Sequence, residues 1–424
     1  MSKELYDKIK EYTQSVKARF CMPSHNGQAR LDGLYSSAPF DWTEVQGLDN
    51  LLCSEDVIAA CERKLASSYG YQNALMLTSG STTGMQIAMS LTKSRRGVAL
   101  AIGDMHKSFY SSSRIFGVTI RCCKSLQEGE KISGQEKIAC VFVTSPNYFG
   151  KVLSLKEIKD FASKVGALLI VDEAHSAHFP YSSLLPNNAS KYADISLVSM
   201  HKTLPVYGGG AILLTNGEEL YQECRLLRAD IHSTSPSYLV MASMDYADDY
   251  MISHGEEEYA KVKSEIDKFK SELKVGEVLD TDDFSRLVVK IDGIDCNKVS
   301  NNLAEQGIFI EMAYGDLLVL IVTPFNCDQL SLLANALEGI PLEKLDSDID
   351  VDLGMQNIAK SGEVVFVNVD KSLDKVCAVE VGIYPPGIPI IKKGDVINQK
   401  AIDFIKKYSS RLFGLASGCI AVIK

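Results

Sequence analysis

The sequence predicts an α/β protein with a large domain built on a mainly parallel sheet and a smaller C-terminal α+β domain. From about residue 55, short apolar runs alternate with segments whose apolar residues recur at helical spacing. The run at 168–171 is apolar at every position, which is typical of a parallel strand buried on both faces. The length of 424 residues suffices for two domains of roughly 150 residues or more.

Residues 1–50 are predicted to form an N-terminal arm. Leu5, Ile9 and Tyr12 give a short helical stripe, and a loop punctuated by proline and glycine follows. The segment 40–49 has no clean period and holds the only tryptophan of the chain. Such an aperiodic segment is typical of chain that wraps over another surface, for which a partner subunit is a candidate.

Residues 51–255 are predicted to form the large domain. A capping box at Ser154–Glu157 predicts the start of a helix that Gly166 ends, with the strand at 168–171 next. Other strands are expected at 74–78, 98–102, 139–144, 195–198 and 211–214. Ligands gather at the carboxyl ends of strands in parallel sheets, so polar residues that follow these strands are candidate site residues.

Residues 256–424 are predicted to form the C-terminal α+β domain. A charged amphipathic helix that includes 259–273 leads into it. The patterns that follow predict a strand at 287–291, a helix at 297–306, strands at 308–312 and 317–322, and helices at 328–338 and 399–407. Tyr384–Pro389 is a rigid turn because it contains three prolines.

Composition excludes several classes of function. The net charge of −10 argues against nucleic acids and anionic membranes as partners, because both favour a basic surface. Eleven scattered cysteines with no CxxC motif predict neither a disulfide framework nor a metal site, as expected for a cytoplasmic protein. The first residues lack the apolar region of a signal peptide, and no apolar run approaches the ~18 residues of a membrane span.

The main candidates for catalysis are Lys202 and Asp172. Lys202 follows the apolar run 195–198, and Asp172 ends the run 168–171. An unpaired buried carboxylate costs several kcal/mol, so Asp172 is expected to have a cationic partner. Pyridoxal phosphate (PLP) requires such a pair at strand ends, because the lysine forms a Schiff base with it and the acid pairs with its pyridinium nitrogen. Taken alone, Lys202 has the commoner alternative of a solvated surface charge.

Three further clusters strengthen this hypothesis. The turn Gly80–Gly84 opens a helix and offers backbone N–H groups and hydroxyls to a phosphate, although it could simply cap the helix. His106 follows a strand and is a further catalytic candidate, since it could stack on a flat cofactor ring and help with proton transfer, or be a capping or surface histidine. His175 could support the cofactor, whereas His178 is interpreted as structural. The joint order of phosphate turn, histidine, acid and lysine favours a PLP site.

The chain resembles the Orn/Lys/Arg decarboxylases, PLP enzymes of the aspartate-aminotransferase-like fold (fold type I), in their short form. The motifs that carry the resemblance span nearly the whole chain: Thr43-Glu44 with Gly47–Asp49, Ser79–Thr82, His106–Ser108, Asp172–His178, Ser199–Leu204 and Tyr384–Pro389.

The resemblance implies a role for each motif. Lys202 forms the Schiff base, Asp172 pairs with the pyridine nitrogen and His106 stacks on the ring. Ser81, Thr82, Ser199 and His201 hold the phosphate. The resemblance also implies a homodimer, or a dimer-based oligomer with shared active sites, that decarboxylates a basic amino acid to a polyamine precursor.

The substrate is the part that the sequence leaves open. Where the family has Pro-Gly-His-Lys-Gly, this chain has Pro23–Gly27 with serine and asparagine in place of the first glycine and the lysine. The distal ammonium or guanidinium of a basic amino-acid substrate needs a carboxylate partner. Glu44 and Glu380 are candidates for that partner, although either could equally be a surface acid. The short-form resemblance favours arginine over lysine and ornithine.

Two alternatives stay open. The same fold and cofactor serve aminotransferases and carbon–sulfur lyases, although the Tyr384–Pro389 turn and the His201-Lys202 pair argue against them. A family member without decarboxylase activity, acting as a partner or regulator, is compatible with the altered loop at Pro23–Gly27.

Overall fold

A computed structural model describes residues 4–15, 36–345, 353, 355–356, 362–384 and 387–424. The loop Pro23–Gly27 and the two prolines at 385–386 lie outside the described residues. Helix α1 (Glu4–Ser15) buries Leu5 and Ile9 against its own chain, as the apolar stripe of the arm predicts. The N–H groups of Leu5 and Tyr6 donate to the carboxylate of Asp245 at 3.1 Å each, which satisfies donors of the first helical turn.

The large sheet has seven strands in the order β1-β7-β6-β5-β4-β2-β3. β2 to β6 pair in parallel, and β7 is antiparallel to both neighbours. The mainly parallel sheet that the sequence predicts is therefore confirmed. The strands are β1 (Asn73–Leu77), β2 (Val98–Ile102), β3 (Ile120–Cys123), β4 (Ile138–Thr144), β5 (Leu168–Asp172), β6 (Ile195–Val198) and β7 (Ala211–Thr215).

Helices cover both faces of this sheet and bury two apolar layers. Helix α6 begins after Ser154 as predicted, but the expected capping box is wrong, because the Ser154 side chain makes no capping hydrogen bond. Gly166, with φ of +70°, follows the end of α6. The helices are α2 (Val57–Tyr69), α3 (Ser81–Ser94), α4 (Lys107–Phe116), α5 (Leu126–Ser133), α6 (Leu155–Lys164), α7 (Glu218–Ile231) and α8 (Tyr238–Glu272).

Beyond α8, a second sheet is antiparallel and has the order β10-β11-β9-β8. The boundary predicted after residue 255 falls inside α8. The strand predicted at 308–312 is wrong in position: Phe309 is 82% exposed, and pairing starts only at Met312. The elements are β8 (Glu277–Leu279), β9 (Arg286–Lys290), α9 (Cys296–Glu305), β10 (Met312–Tyr314), β11 (Leu317–Ile321) and α10 (Leu330–Glu338).

The described part of 362–424 forms a third unit with its own apolar cluster around α11. Two small antiparallel sheets flank this helix, in the orders β12-β18-β13 and β15-β14-β16, with β17 paired to β18. Its elements are β12 (Val364–Asn368), β13 (Val376–Cys377), β14 (Val381–Ile383), β15 (Ile388–Ile391), α11 (Gln399–Tyr408), β16 (Leu412–Phe413), β17 (Leu415–Ala416) and β18 (Cys419–Ile423).

Helix α8, at 35 residues, is long enough to cross a membrane but carries too many charged side chains to do so. Across the described ranges, no helix combines the length and the apolar character of a membrane span.

Candidate active site

Lys202 and Asp172 lie at the same edge of the large sheet. Asp172 is the last residue of β5, and Lys202 ends a single 3₁₀ turn (Met200–Lys202) just after the neighbouring strand β6. The Asp172 side chain is buried and accepts a hydrogen bond from the Ala174 N–H at 3.1 Å. Burial raises the pKa of Asp172, against the opposing effect of the Lys202 charge. Burial likewise lowers the pKa of Lys202, while Asp172 opposes that change.

The predicted phosphate-binding hydroxyls come together at the start of α3. The Ser199 hydroxyl, which follows β6, donates to the Ser81 hydroxyl at 2.8 Å. Thr82 is exposed in the first turn of the same helix, where backbone N–H groups have no partner within the helix. Gly80 donates its N–H to the Gly209 carbonyl at 2.7 Å, which ties the turn to the loop before β7.

His201 is placed differently from the other predicted phosphate ligands. Its Nδ1 donates to the Gly210 carbonyl at 2.9 Å, and its backbone N–H donates to the same oxygen at 3.2 Å. The ring is thereby fixed beside the Gly80 turn, with Nε2 as the nitrogen left for a ligand.

His106 is fixed as a neutral imidazole at the start of α4. Its Nδ1 accepts the Ser108 N–H at 3.2 Å, so the ring caps the helix, and the proton of the neutral ring is on Nε2. Burial, helped by the charges of Lys202 and Lys107, lowers the pKa of His106 to about 4. The C-terminal unit packs directly on this residue, because the Lys107 N–H donates to the Gly387 carbonyl at 2.8 Å.

His175 connects Lys202 with a residue from the second sheet. Its Nε2 lies 3.2 Å from Lys202 Nζ, and its Nδ1 lies 2.9 Å from Arg286 Nη2. The Tyr148 ring packs edge-on against the imidazole at 4.9 Å between centroids. Burial lowers the pKa of His175 well below its ordinary value, and the charges of Lys202 and Arg286 add to this effect.

The sequence prediction missed Arg286, Tyr148 and Glu311. Arg286 is fully buried as the first residue of β9, and no described residue accepts a hydrogen bond from its Nη1. Its guanidinium lies 5.7 Å from the Tyr148 ring centroid, and the Tyr148 hydroxyl donates to Glu311. An arginine at the head of the apolar run 287–289 is a signal that could have revealed this residue, because unpaired buried charges are rare.

The remaining predicted residues lie in other surroundings. His178 is buried, and its Nε2 contacts Ser285 at 2.9 Å and Asp283 at 3.3 Å, as a structural histidine would. Glu380 is 8% exposed and forms an ion pair with Arg114. Burial raises the pKa of Tyr238, and the nearby charge of Glu44 adds to that effect. The roles predicted for Glu44 and Glu380 stay predictions.

Comparison with known proteins agrees with the resemblance found in the sequence. Residues 111–301 of this chain match the family described as the major domain of the Orn/Lys/Arg decarboxylases. The arginine decarboxylase of Bacillus subtilis is 24% identical, over 95% of this chain and 93% of its own. The uncharacterized protein YaaO of the same organism is also 24% identical, over 97% and 95%. The predicted resemblance is thus confirmed, and the relative with an assigned activity has the enzyme class that the sequence predicts.

Solved structures agree on the fold. Lysine decarboxylase A from Pseudomonas aeruginosa superposes with a TM-score of 0.81 at 16% identity, covering 99% of this chain and 80% of its own. A PLP-bound serine palmitoyltransferase from S. paucimobilis gives a TM-score of 0.55 at 19% identity, covering 78% and 83%. The predicted fold class is therefore confirmed.

Proposed function

We propose that this chain is a PLP-dependent decarboxylase of a basic amino acid, with arginine as the first candidate substrate. The observation that carries the proposal is the placement of Lys202 beside the buried carboxylate of Asp172, at the carboxyl ends of adjacent parallel strands. The arginine and lysine decarboxylases among the similar proteins support the reaction class, and the arginine decarboxylase supports the substrate.

The residues at this edge fit PLP. Among the described residues, the buried carboxylate of Asp172 accepts one N–H group, from Ala174, so a protonated pyridine nitrogen would compensate its burial. Ser81, Thr82 and Ser199 offer hydroxyls at the N-terminus of α3, where a phosphate dianion is favoured. His201 Nε2 would add a contact to the same phosphate, and the neutral His106 ring would stack on the cofactor. When bound, PLP supplies an electron sink for the bond that breaks at Cα.

The chain's own side chains would then orient the substrate and manage its charges. Arg286 Nη1 is a buried donor that a substrate carboxylate would satisfy, and charge-assisted hydrogen bonds of this kind are strong. Holding the carboxylate in one orientation selects the bond to be broken. With PLP bound, Asp172 would hold a proton at the pyridine nitrogen, and the Lys202 amine would be the group that links the cofactor to the protein.

The assembly and the location are proposed on more general grounds. A homodimer or dimer-based oligomer with shared active sites follows from the resemblance to the decarboxylase family. The ten described cysteines are free thiols, which fits the reducing cytoplasm. We propose a domain organisation of 1–50, 51–255 and 256–424, in which the second boundary lies within α8 and the last segment holds both the second sheet and the third unit.

Product analysis tests the proposed function. The holoprotein is incubated separately with arginine, lysine and ornithine, and amines and carbon dioxide are quantified, with Lys202→Ala as the control. We expect agmatine from arginine, lost in the control. Cadaverine or putrescine instead would change the substrate but keep the reaction. Bound cofactor with no amine and no carbon dioxide from any substrate would refute the decarboxylase proposal and direct attention to the loop Pro23–Gly27.

A further inference from the structure

The contacts around His175 define which atoms can carry protons. Arginine has only donors, so the Arg286 Nη2 group, 2.9 Å from His175 Nδ1, must donate to that nitrogen. Nδ1 is therefore an acceptor, and a neutral imidazole has its single proton on Nε2. That Nε2–H group points to Lys202 Nζ at 3.2 Å, and the hydrogen bond requires a lone pair on the lysine nitrogen.

We infer that Arg286 and His175 form a hydrogen-bond relay that holds Lys202 as a neutral amine in the cofactor-free chain. The opposite arrangement is unfavourable. A Lys202 ammonium would donate to Nε2 and force the imidazole proton onto Nδ1, where it would meet the N–H of Arg286. Since only the neutral amine has a lone pair for a carbonyl carbon, the relay prepares Lys202 to capture its cofactor. His175 and Arg286 are positioning residues in this role.

The surrounding charges divide into two groups. The carboxylates of Asp172 and Glu311 favour the ammonium form of Lys202, whereas burial and the charge of Arg286 favour the amine. Other titratable groups near the relay act on its two further members: His106 and His178 on His175, and Asp283, Tyr148 and Glu311 on Arg286. Two carboxylates therefore favour the ammonium form of Lys202, and one guanidinium and burial favour the amine. Between these opposing effects, the direction of the His175 hydrogen bond decides which form Lys202 takes.

The inference rests on the proposed role of Lys202, but its test uses the full-length cofactor-free chain and no turnover. Long-range ¹H–¹⁵N correlation spectra of histidine-labelled protein report the tautomer of each imidazole. The His175 signal is assigned by its loss in His175→Asn. We expect the neutral Nε2–H tautomer from about pH 6 to about pH 9, with no titration near the ordinary histidine pKa of ~6.5. A Nδ1–H tautomer, or a charged ring at pH 6, would overturn the relay.

A second measurement follows Lys202 itself. Competitive acylation with acetic anhydride across pH, read by mass spectrometry of the Lys202 peptide, gives the pKa of that one amine. His175→Phe keeps a flat buried ring and the charge of Arg286 but removes the hydrogen bond. The relay predicts that the pKa of Lys202 rises by about one unit in this variant. An unchanged pKa in folded His175→Phe would show that burial and charge suffice, and would refute the relay.

Arg286→Lys provides the conservative comparison, because lysine is also a donor without acceptor capacity. We expect it to preserve the Nε2–H tautomer, whereas Arg286→Met lets the His175 tautomers mix. Equal spectra for these two variants would contradict the proposal. If wild type shows the predicted His175 tautomer and Lys202 pKa but makes no amine product, the relay stands and the proposed decarboxylase function is refuted.

Discussion

Gly387 is the position where the C-terminal unit meets the candidate cofactor site, and Gly387→Ala tests that contact. The added Cβ would lie 2.9 Å from His106 Nε2, closer than real Cβ atoms approach, and 3.0 Å from its Cδ2. The glycine also has φ of +79°, where alanine costs about 1 kcal/mol. His106 must move, which weakens its cap on Ser108 by about another 1 kcal/mol.

We therefore expect Gly387→Ala to lose about 2 kcal/mol of unfolding free energy. We expect it to bind PLP about fivefold more weakly, because the ~1 kcal/mol cost of displacing His106 corresponds to that change at about 1.4 kcal/mol per tenfold. Chemical denaturation and absorbance titration with PLP measure the two effects. Gly418→Ala is the matched control, since Gly418 has φ of +75° in the same unit with no atom within 4 Å of its added Cβ. Equal PLP affinity in the two variants would refute the argument that the turn positions His106.

Three other changes probe separate parts of the structure. The pKa of His106 is lowered to about 4, so between about pH 6.5 and pH 4 the unfolded chain binds a proton there that the folded chain excludes. As the pH falls through that window, wild type should lose up to about 3 kcal/mol more unfolding free energy than His106→Asn. Denaturant unfolding at a series of pH values measures this, and equal losses in the two proteins would contradict it. Arg286→Gln should lower kcat/KM about 100-fold with PLP still bound, because a charge-assisted hydrogen bond of about 3 kcal/mol is lost; unchanged kinetics would remove Arg286 from carboxylate binding. Arg228→Met should cost about 3–5 kcal/mol in denaturant unfolding, because it leaves Glu62 buried without its cation; a loss below about 1 kcal/mol would refute this.

The sequence predicted the strongly periodic parts of the fold well. Strands buried on both faces, such as β5 and β6, were placed to within a residue, because their only polar residues are Asp172 at the end of β5 and Ser196 in β6. The edge strand β3 escaped prediction because Arg121 and Cys122 are exposed, so its pattern carries no apolar run. The sequence also did not separate the third unit, whose strands of two to five residues are too short to show a period.

The candidate site was predictable where chemistry coincides with a strand end. Asp172 and Ser199 stand directly after apolar runs, and Lys202 follows Ser199 within one turn. Adjacent parallel strands bring such residues together. The charge of Arg286 at the head of the apolar run 287–289 marks a buried cation, but it does not indicate this site. Arg286 begins a strand of the other sheet and reaches the site through packing between units. Glu311 likewise enters through its contact with Tyr148, which no local pattern encodes.

The hydrogen bond between Lys107 and Gly387 has a consequence for how the protein matures on the ribosome. Ser81, His106 and Lys202 emerge early, Arg286 later, and the turn that packs on His106 only after residue 387 has been added. The surroundings of His106 are therefore complete only after residue 387 has been synthesised, long after residue 106 itself. A chain released before residue 387 would leave His106 without the contact on that side.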